Sequence, residues 1–389
     1  MTPSAGRAAR AALAAVVEPA TESIARRVIS AGPEATWRSI VSGDRRLDRD
    51  AALRRRAHGV DGTAVLARAR DLGLRFVCPG DDEWPASLDD MPATLTAGDD
   101  AVAPPFGLWV RGEVSLAEWC ERAIAVVGAR AASPYGTRVA ADLAADLTAL
   151  QWTVISGAAY GVDAAAHHGA LAMGGATAAV LACGLDTAYP RGHGELLERI
   201  ATSGLVISEL APGMAPMRSR FLARNRIIAA LTAGTVVVEA ARRSGALNTA
   251  RWSASLGREV LAVPGPVTSE LSAGCHEWIR DRGATLVTDA REVVDAVGVL
   301  GADAAPRTAG PDRPLDAYPP DVRHVYECLP TRAPVTVAEL TRTTGYGAAF
   351  VESSLQQLAA GGMVADGVDG WSRMLLAHPP LPVSADHEH

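Results

Sequence analysis

Between residues 123 and 297 the chain alternates short, almost wholly apolar runs with stretches whose apolar positions recur at helical spacing. The apolar runs cover 124–128, 153–156, 177–182, 205–209, 235–240, 259–263 and 285–288. A strand with one wet face alternates polar and apolar residues; one covered on both faces does not, so these runs read as parallel strands inside a sheet. Most are followed by a helix-compatible segment. The pattern therefore predicts an α/β fold with a doubly wound, mostly parallel, Rossmann-like sheet over 123–298.

Upstream, short helical patterns separated by Gly, Pro and Asp predict a small helical, SAM-like domain over 1–75. A connector follows over 76–122, carrying Trp84-Pro85 and Pro104-Pro105 and ending in a short strand at 107–110. Downstream, 299–315 shows no periodicity and reads as a linker. Three short helical segments at 322–329, 337–343 and 350–359, then two strand-like segments around Gly370, predict a C-terminal winged-helix module over 316–376. Residues 377–389 are expected to be a disordered tail.

Composition narrows the function classes. The net charge is −7, so any grip on nucleic acid has to come from a local cluster. All 37 basic side chains are arginine, which makes the guanidinium fork the only strong cationic partner for phosphate. The five cysteines are scattered and form no C-x-x-C pair, which argues against a disulfide framework or zinc site and favours a reducing cytoplasm. No metal is expected. The apolar run 11–17 is cut short by Glu18 and Glu22, so it reads as a short helix; no membrane span is expected.

Candidate chemistry begins where the first strand runs into Gly128-Ala129-Arg130-Ala131-Ala132-Ser133-Pro134-Tyr135-Gly136. Ser133 suits an N-cap and Pro134 the first helical position, so free N–H groups are expected to face the sheet's carboxyl end and attract phosphate. The spacing is not G-x-G-x-x-G and no acid ends the second strand, so a dinucleotide is disfavoured and no cofactor is expected. Arg130 is a candidate phosphate ligand, with a salt bridge as the bland alternative.

Ser156-Gly157 and Gly161 form a second loop of the same kind, with Asp163 able to cap the next helix. His167 lies four residues after Asp163, on the same helix face, and reads as structural because no nucleophile or metal set accompanies it. The strongest charge feature is the stretch 217–226, with Arg218, Arg220, Arg224 and Arg226 and no acid, inside a segment, 123–297, that balances as a whole at fifteen arginines against fifteen acids. It predicts a backbone-phosphate groove. Phe221 and Tyr135 are candidates to stack on bases, with a core position the other reading for Phe221. Glu239 ends a strand in the crevice region, before a loop with Ser244-Gly245. A carboxylate beside phosphate needs a partner, so it reads as orienting an arginine such as Arg226 or fixing that loop, with catalysis the lesser option.

Five ordered blocks, Ala125 to Arg130, Ser156 to His167, Arg224 to Ile228, Val237 to Glu239 with Ser244-Gly245, and Ala262 to Gly265, resemble the DprA (DNA-processing protein A) family. The resemblance implies a homodimer that binds and protects single-stranded DNA without sequence preference and loads RecA recombinase during natural transformation. It further implies that Gly128, Arg130, Ser156, Gly157, Arg224, Asn225 and Arg226 line the DNA pocket, with no catalytic residue. Ala158-Ala159-Tyr160 departs from the family, which often has a basic residue there. Residues 316–373 hold seven acids against four arginines, and 350–359 holds no base, which predicts a protein-contact role for the C-terminal module. The rival readings are a nucleoside-monophosphate phosphoribohydrolase of the lysine-decarboxylase-like family, whose P-G-G-x-G-T-x-x-E run is missing here, and a nucleotide-sensing transcription regulator.

Overall fold

All five side chains of Ala123–Val127 are buried, and they divide cleanly between two apolar layers. Ile124 and Val126 face one layer and Ala123, Ala125 and Val127 the other, as the two-residue period of a strand requires. A computed structural model, describing residues 3–43, 51–91, 96–97, 100–101, 103–298, 314–331 and 333–374, shows how this strand is enclosed. The chain divides into two compact units, 1–305 and 306–389.

The first unit is built on a nine-stranded sheet. Its strands are β1 (Arg75–Val77), β2 (Leu108–Arg111), β3 (Ala123–Val127), β4 (Thr153–Ser156), β5 (Thr177–Leu181), β6 (Leu205–Ser208), β7 (Gly234–Val237), β8 (Glu259–Ala262) and β9 (Thr285–Leu286). The spatial order is β1-β2-β6-β5-β4-β3-β7-β8-β9. From β6 to β9 every pairing is parallel, and β2 and β1 are added antiparallel at one edge. The doubly wound, mostly parallel sheet is therefore present. The addition is β1, a three-residue strand too short to stand out by periodicity.

Helices cover both faces. In chain order they are α1 (Ala5–Val16), α2 (Glu22–Ala31), α3 (Pro33–Ser42), α4 (Ala51–Ala57), α5 (Gly62–Asp71), α6 (Leu116–Glu121), α7 (Pro134–Ala149), α8 (Val162–Ala172), α9 (Gly194–Ser203), α10 (Arg218–Ala230), α11 (Ala246–Ser255), α12 (Ala273–Asp281) and α13 (Ala290–Val297). One layer joins the sheet to Leu143 and Leu147 of α7, Ala166 of α8 and Val293 of α13. The opposite layer joins it to Ile227 and Ile228 of α10, Trp252 of α11 and Trp278 of α12. Burying such a side chain is worth about 1.5–3 kcal/mol, so the two layers fix where the strand ends and their loops lie.

Helices α1 to α5 belong to the same unit as the sheet. Their core centres on Leu13, Ile24, Ile40 and Leu53, and Ala11, Ala14 and Ala69 continue into the cluster that holds Phe76 and Trp109. No helix among the described residues is long and apolar enough to cross a membrane.

The second unit contains α14 (Pro320–Glu327), α15 (Val337–Thr344) and α16 (Ala348–Ala360), followed by the antiparallel hairpin β10 (Val364–Gly367) and β11 (Gly370–Arg373). Helix α15 starts with a reciprocal cap in which Thr336 and Glu339 bond each other's backbone. Trp371 bridges to Val335, which ties the hairpin to the start of α15. The expected linker, apart from residues 314 and 315, and the expected tail lie outside the described residues.

Candidate nucleic-acid interface

The chain leaves β3 towards one side of the sheet and β7 towards the other, and open α/β sheets bind ligands in the crevice such a divergence leaves at the carboxyl ends. A cleft of about 470 Å³ lies there. Its wall comes from Gly128 to Ala131 after β3, Asp163 of α8, Phe221, Arg224 and Asn225 of α10, and Arg243 to Gly245 after β7. Arg130 and Arg243 are exposed, and neither is held in an ion pair among the described residues.

The expected phosphate seat at the start of α7 forms, but the protein's own carboxylate occupies it. Ser133 caps the helix, its Oγ accepting from the Gly136 N–H at 3.1 Å. Glu239 accepts from the Ser133 N–H at 2.9 Å and from the Ser133 hydroxyl at 2.5 Å. Glu239 is 2% exposed, and the position of Gly136 leaves no room for a Cβ beside that carboxylate. Glu239 thus orients Ser133, not Arg226. This corrects the sequence expectation for Ser133 and Gly136: a negative charge already sits where the helix dipole favours one.

Tyr135, next along α7, donates its hydroxyl to the Pro264 carbonyl at 2.6 Å and does not line the cleft.

In the second loop, Ser156 is fully buried and donates to the Val126 carbonyl at 2.7 Å, so it ties β4 to β3 and presents nothing to a ligand. Gly157 lies flat against the Arg224 guanidinium, where any side chain would overlap it. Gly161 has φ +80° and packs on the Ala129 and Arg130 carbonyls, a place only glycine fits. Asp163 accepts from the Ala159 N–H at 3.3 Å. Burial raises its carboxyl above the usual range, opposed by Arg224 and by the Ala159 and Gly157 amides.

His167 does not meet Asp163. Its Nδ1 lies 2.7 Å from the Thr177 hydroxyl, whose one proton goes to the Val154 carbonyl at 2.8 Å, so Nδ1 is the donor. Burial pushes this histidine down to about 3, leaving a neutral core residue.

Helix α10 departs furthest from expectation. Its four arginines do not form a groove. Arg220 is bidentate to Glu18, beyond α1, at 2.9 Å through both Nε and Nη2. Arg226, fully buried, is bidentate to Glu209 at 2.7 and 2.8 Å. Arg224 donates to the Val180 carbonyl and to Asn225 Oδ1, and burial lowers it to about 10. Asn225 bonds Asn248 at 3.2 Å. An arginine on the packed face of a helix has to find such partners, because an unpaired buried charge is strongly destabilising. Arg224 and Asn225 still form part of the cleft wall, whereas Arg220 and Arg226 do not. Arg218 stays exposed.

Phe221 is half-buried beside the cleft, with the Arg130 guanidinium 5.1 Å above its ring and Tyr189 5.4 Å away. The sequence reading missed Tyr189 and the exposure of Arg243. Arg243 carried a usable signal, a second basic residue beside Ser244-Gly245 at a strand's carboxyl end. Tyr189 carried none, since it lies 32 residues before Phe221 in the chain, counting from 189 to 221.

The profile of the family described as DNA recombination-mediator protein A matches residues 75–298. A putative DNA processing protein DprA from Mycobacterium tuberculosis is 44% identical over 374 residues, which cover 94% of this chain and 93% of that protein. The DNA processing protein DprA of Streptococcus pneumoniae is 41% identical over 208 residues, 53% of this chain and 71% of that protein. The solved structure of DNA processing protein A from Streptococcus pneumoniae superposes with TM-score 0.62 at 30% identity, covering 77% of this chain and all of that one (100%).

Proposed function

The chain belongs to the DNA recombination-mediator protein A family, and on that premise we propose that the cleft between β3 and β7 binds the backbone of single-stranded DNA without a chemical step. The observation that carries this reading is the contrast inside the cleft. Arg130 and Arg243 stand exposed at its rim, in a protein whose net charge is −7. Two guanidinium groups free of ion pairs among the described residues, on a cleft wall that also carries the half-buried Phe221 ring beneath Arg130, fit a strand that offers phosphates on one side and base faces on the other.

The position of Glu239 favours binding over a phosphoribohydrolase. Its carboxylate is turned onto Ser133 and lies outside the cleft wall, so the glutamate that follows this late strand does not face a ligand. The acid that does border the cleft, Asp163, is engaged with the Ala159 amide. In this reading the protein works as a homodimer, hands its strand to RecA recombinase, and uses its acidic C-terminal unit to contact protein.

The test is a gel-shift series with an oligo-dT strand and a duplex of equal length, at two salt concentrations and without nucleotide or metal. The reading expects single-strand preference and weaker binding at higher salt. Equal affinity for both, or none for either, overturns it.

A further inference from the structure

A second, smaller cavity opens beside the main cleft and shares Arg130, Ala159 and Phe221 with it. Its chemistry differs. The remaining wall is Gly157, Tyr160, Leu181, Ala182, Tyr189 and Pro190, so among the described residues Arg130 is the one charged side chain lining it. Two aromatic pairs flank the space. Tyr160 meets His193 edge to face at 4.4 Å, and Tyr189 meets Phe221 at 5.4 Å. Tyr160 is 52% exposed although it borders a cavity, and its neighbour His193 is fixed by Nδ1 on the Ala158 carbonyl at 2.9 Å. An aromatic ring held in place and left half in solvent has a face to offer.

We propose that this notch is a base subsite, which takes one unpaired nucleobase of a strand whose phosphates lie on Arg130 and Arg243. The proposal rests on the single-strand reading above and adds a reason for strand selectivity. A neutral, planar, π-rich ring suits a wall of tyrosine and phenylalanine without a carboxylate among its described residues. Arg130 belongs to both cavities, so it links a phosphate in the cleft to the base beside it. In a duplex the bases are paired and stacked inside, and entry would require pulling one out at a cost of a few kcal/mol. Stacking on aromatic rings accepts every base, which matches binding without sequence preference.

The experiment measures equilibrium binding of the full chain to an oligo-dT strand and to an equally long abasic strand with the same phosphates, at one salt concentration. The wild-type chain is expected to prefer the dT strand by roughly tenfold, the scale of one stacked base. Tyr160→Ala and Tyr189→Leu should each bring that ratio towards one. They should also abolish the fluorescence quenching of a 2-aminopurine placed in the strand. Tyr160 is largely exposed, so its variant keeps the test open if Tyr189→Leu fails to fold. Equal wild-type affinity for the two strands, or variants that keep both the ratio and the quenching, overturns the subsite and leaves the phosphate cleft standing. A wild-type chain that binds neither strand overturns the cleft itself, and the subsite with it.

Discussion

The inner face of α10 and the loops that follow β3 and β7 both carry arginine to the carboxyl edge of the sheet, where the two sets meet different fates. Arg220 and Arg226 are paired with Glu18 and Glu209, and Arg224 is folded against Gly157 and the Val180 carbonyl. Arg130 and Arg243 project from loops and keep their donors in solvent. The side-chain type is the same; its backbone decides the outcome. A helix packed on a sheet turns a charged residue inwards, and the residue must then be neutralised within the fold. A loop at a strand end turns it outwards, towards whatever enters the crevice. The arginines of α10 therefore hold the cleft in shape, and those of the rim are available to a ligand.

That division orders the consequences of substitution. Arg226→Ala should have the largest effect, because it leaves Glu209 buried without its partner; a loss of about 3–5 kcal/mol in denaturant unfolding is expected. Replacing both partners by apolar residues, Arg226→Met with Glu209→Leu, should recover much of that loss, and a double variant as unstable as the single one would break the assignment.

Glu239→Ala removes both bonds that fix Ser133 at the start of α7 and should cost about 2–3 kcal/mol by the same measurement. An unchanged midpoint would mean that the helix start does not depend on this carboxylate.

His167 supplies a pH test of the buried interior. Its folded value is pushed down to about 3 from an ordinary 6.5, so the unfolded chain takes up the proton first as pH falls. Its contribution is intact above pH 6.5 and is lost progressively below it, by about 2 kcal/mol between pH 6.5 and 5. A His167→Asn variant should show a correspondingly flatter stability profile across that window.

The smallest effect on folding is expected at the rim. Arg130→Ala with Arg243→Ala should change stability by less than about 0.5 kcal/mol in thermal melts, as exposed substitutions do.

The sheet was readable in the sequence because parallel strands covered on both faces leave unbroken apolar runs; the seven runs correspond to β3 to β9, of which the edge strand β9 is exposed. Strand β1 was not, since three residues of Arg-Phe-Val carry no period. In the cleft, the glycine loops and Arg130 were legible from local spacing, as was the cap at Ser133. What the sequence could not show is which charges cancel. Glu18 and Arg220 are 202 residues apart, Ser133 and Glu239 are 106 apart, and Arg226 and Glu209 are 17 apart. A run of four arginines looks like a phosphate groove until the fold brings acids to it. The pairing is a property of the tertiary structure, whereas exposure at a loop tip follows from the loop itself.

The most direct test of the division is the salt dependence of oligo-dT binding, compared between the wild-type chain and the Arg130→Ala, Arg243→Ala double variant. Each phosphate deprived of its guanidinium should reduce the slope of log affinity against log salt by about 0.7, so a slope flatter by about 1.4 with an unchanged melting temperature is the predicted result. An unchanged slope and affinity in the double variant would contradict the account, because the strand would then be held somewhere other than on these two guanidinium groups.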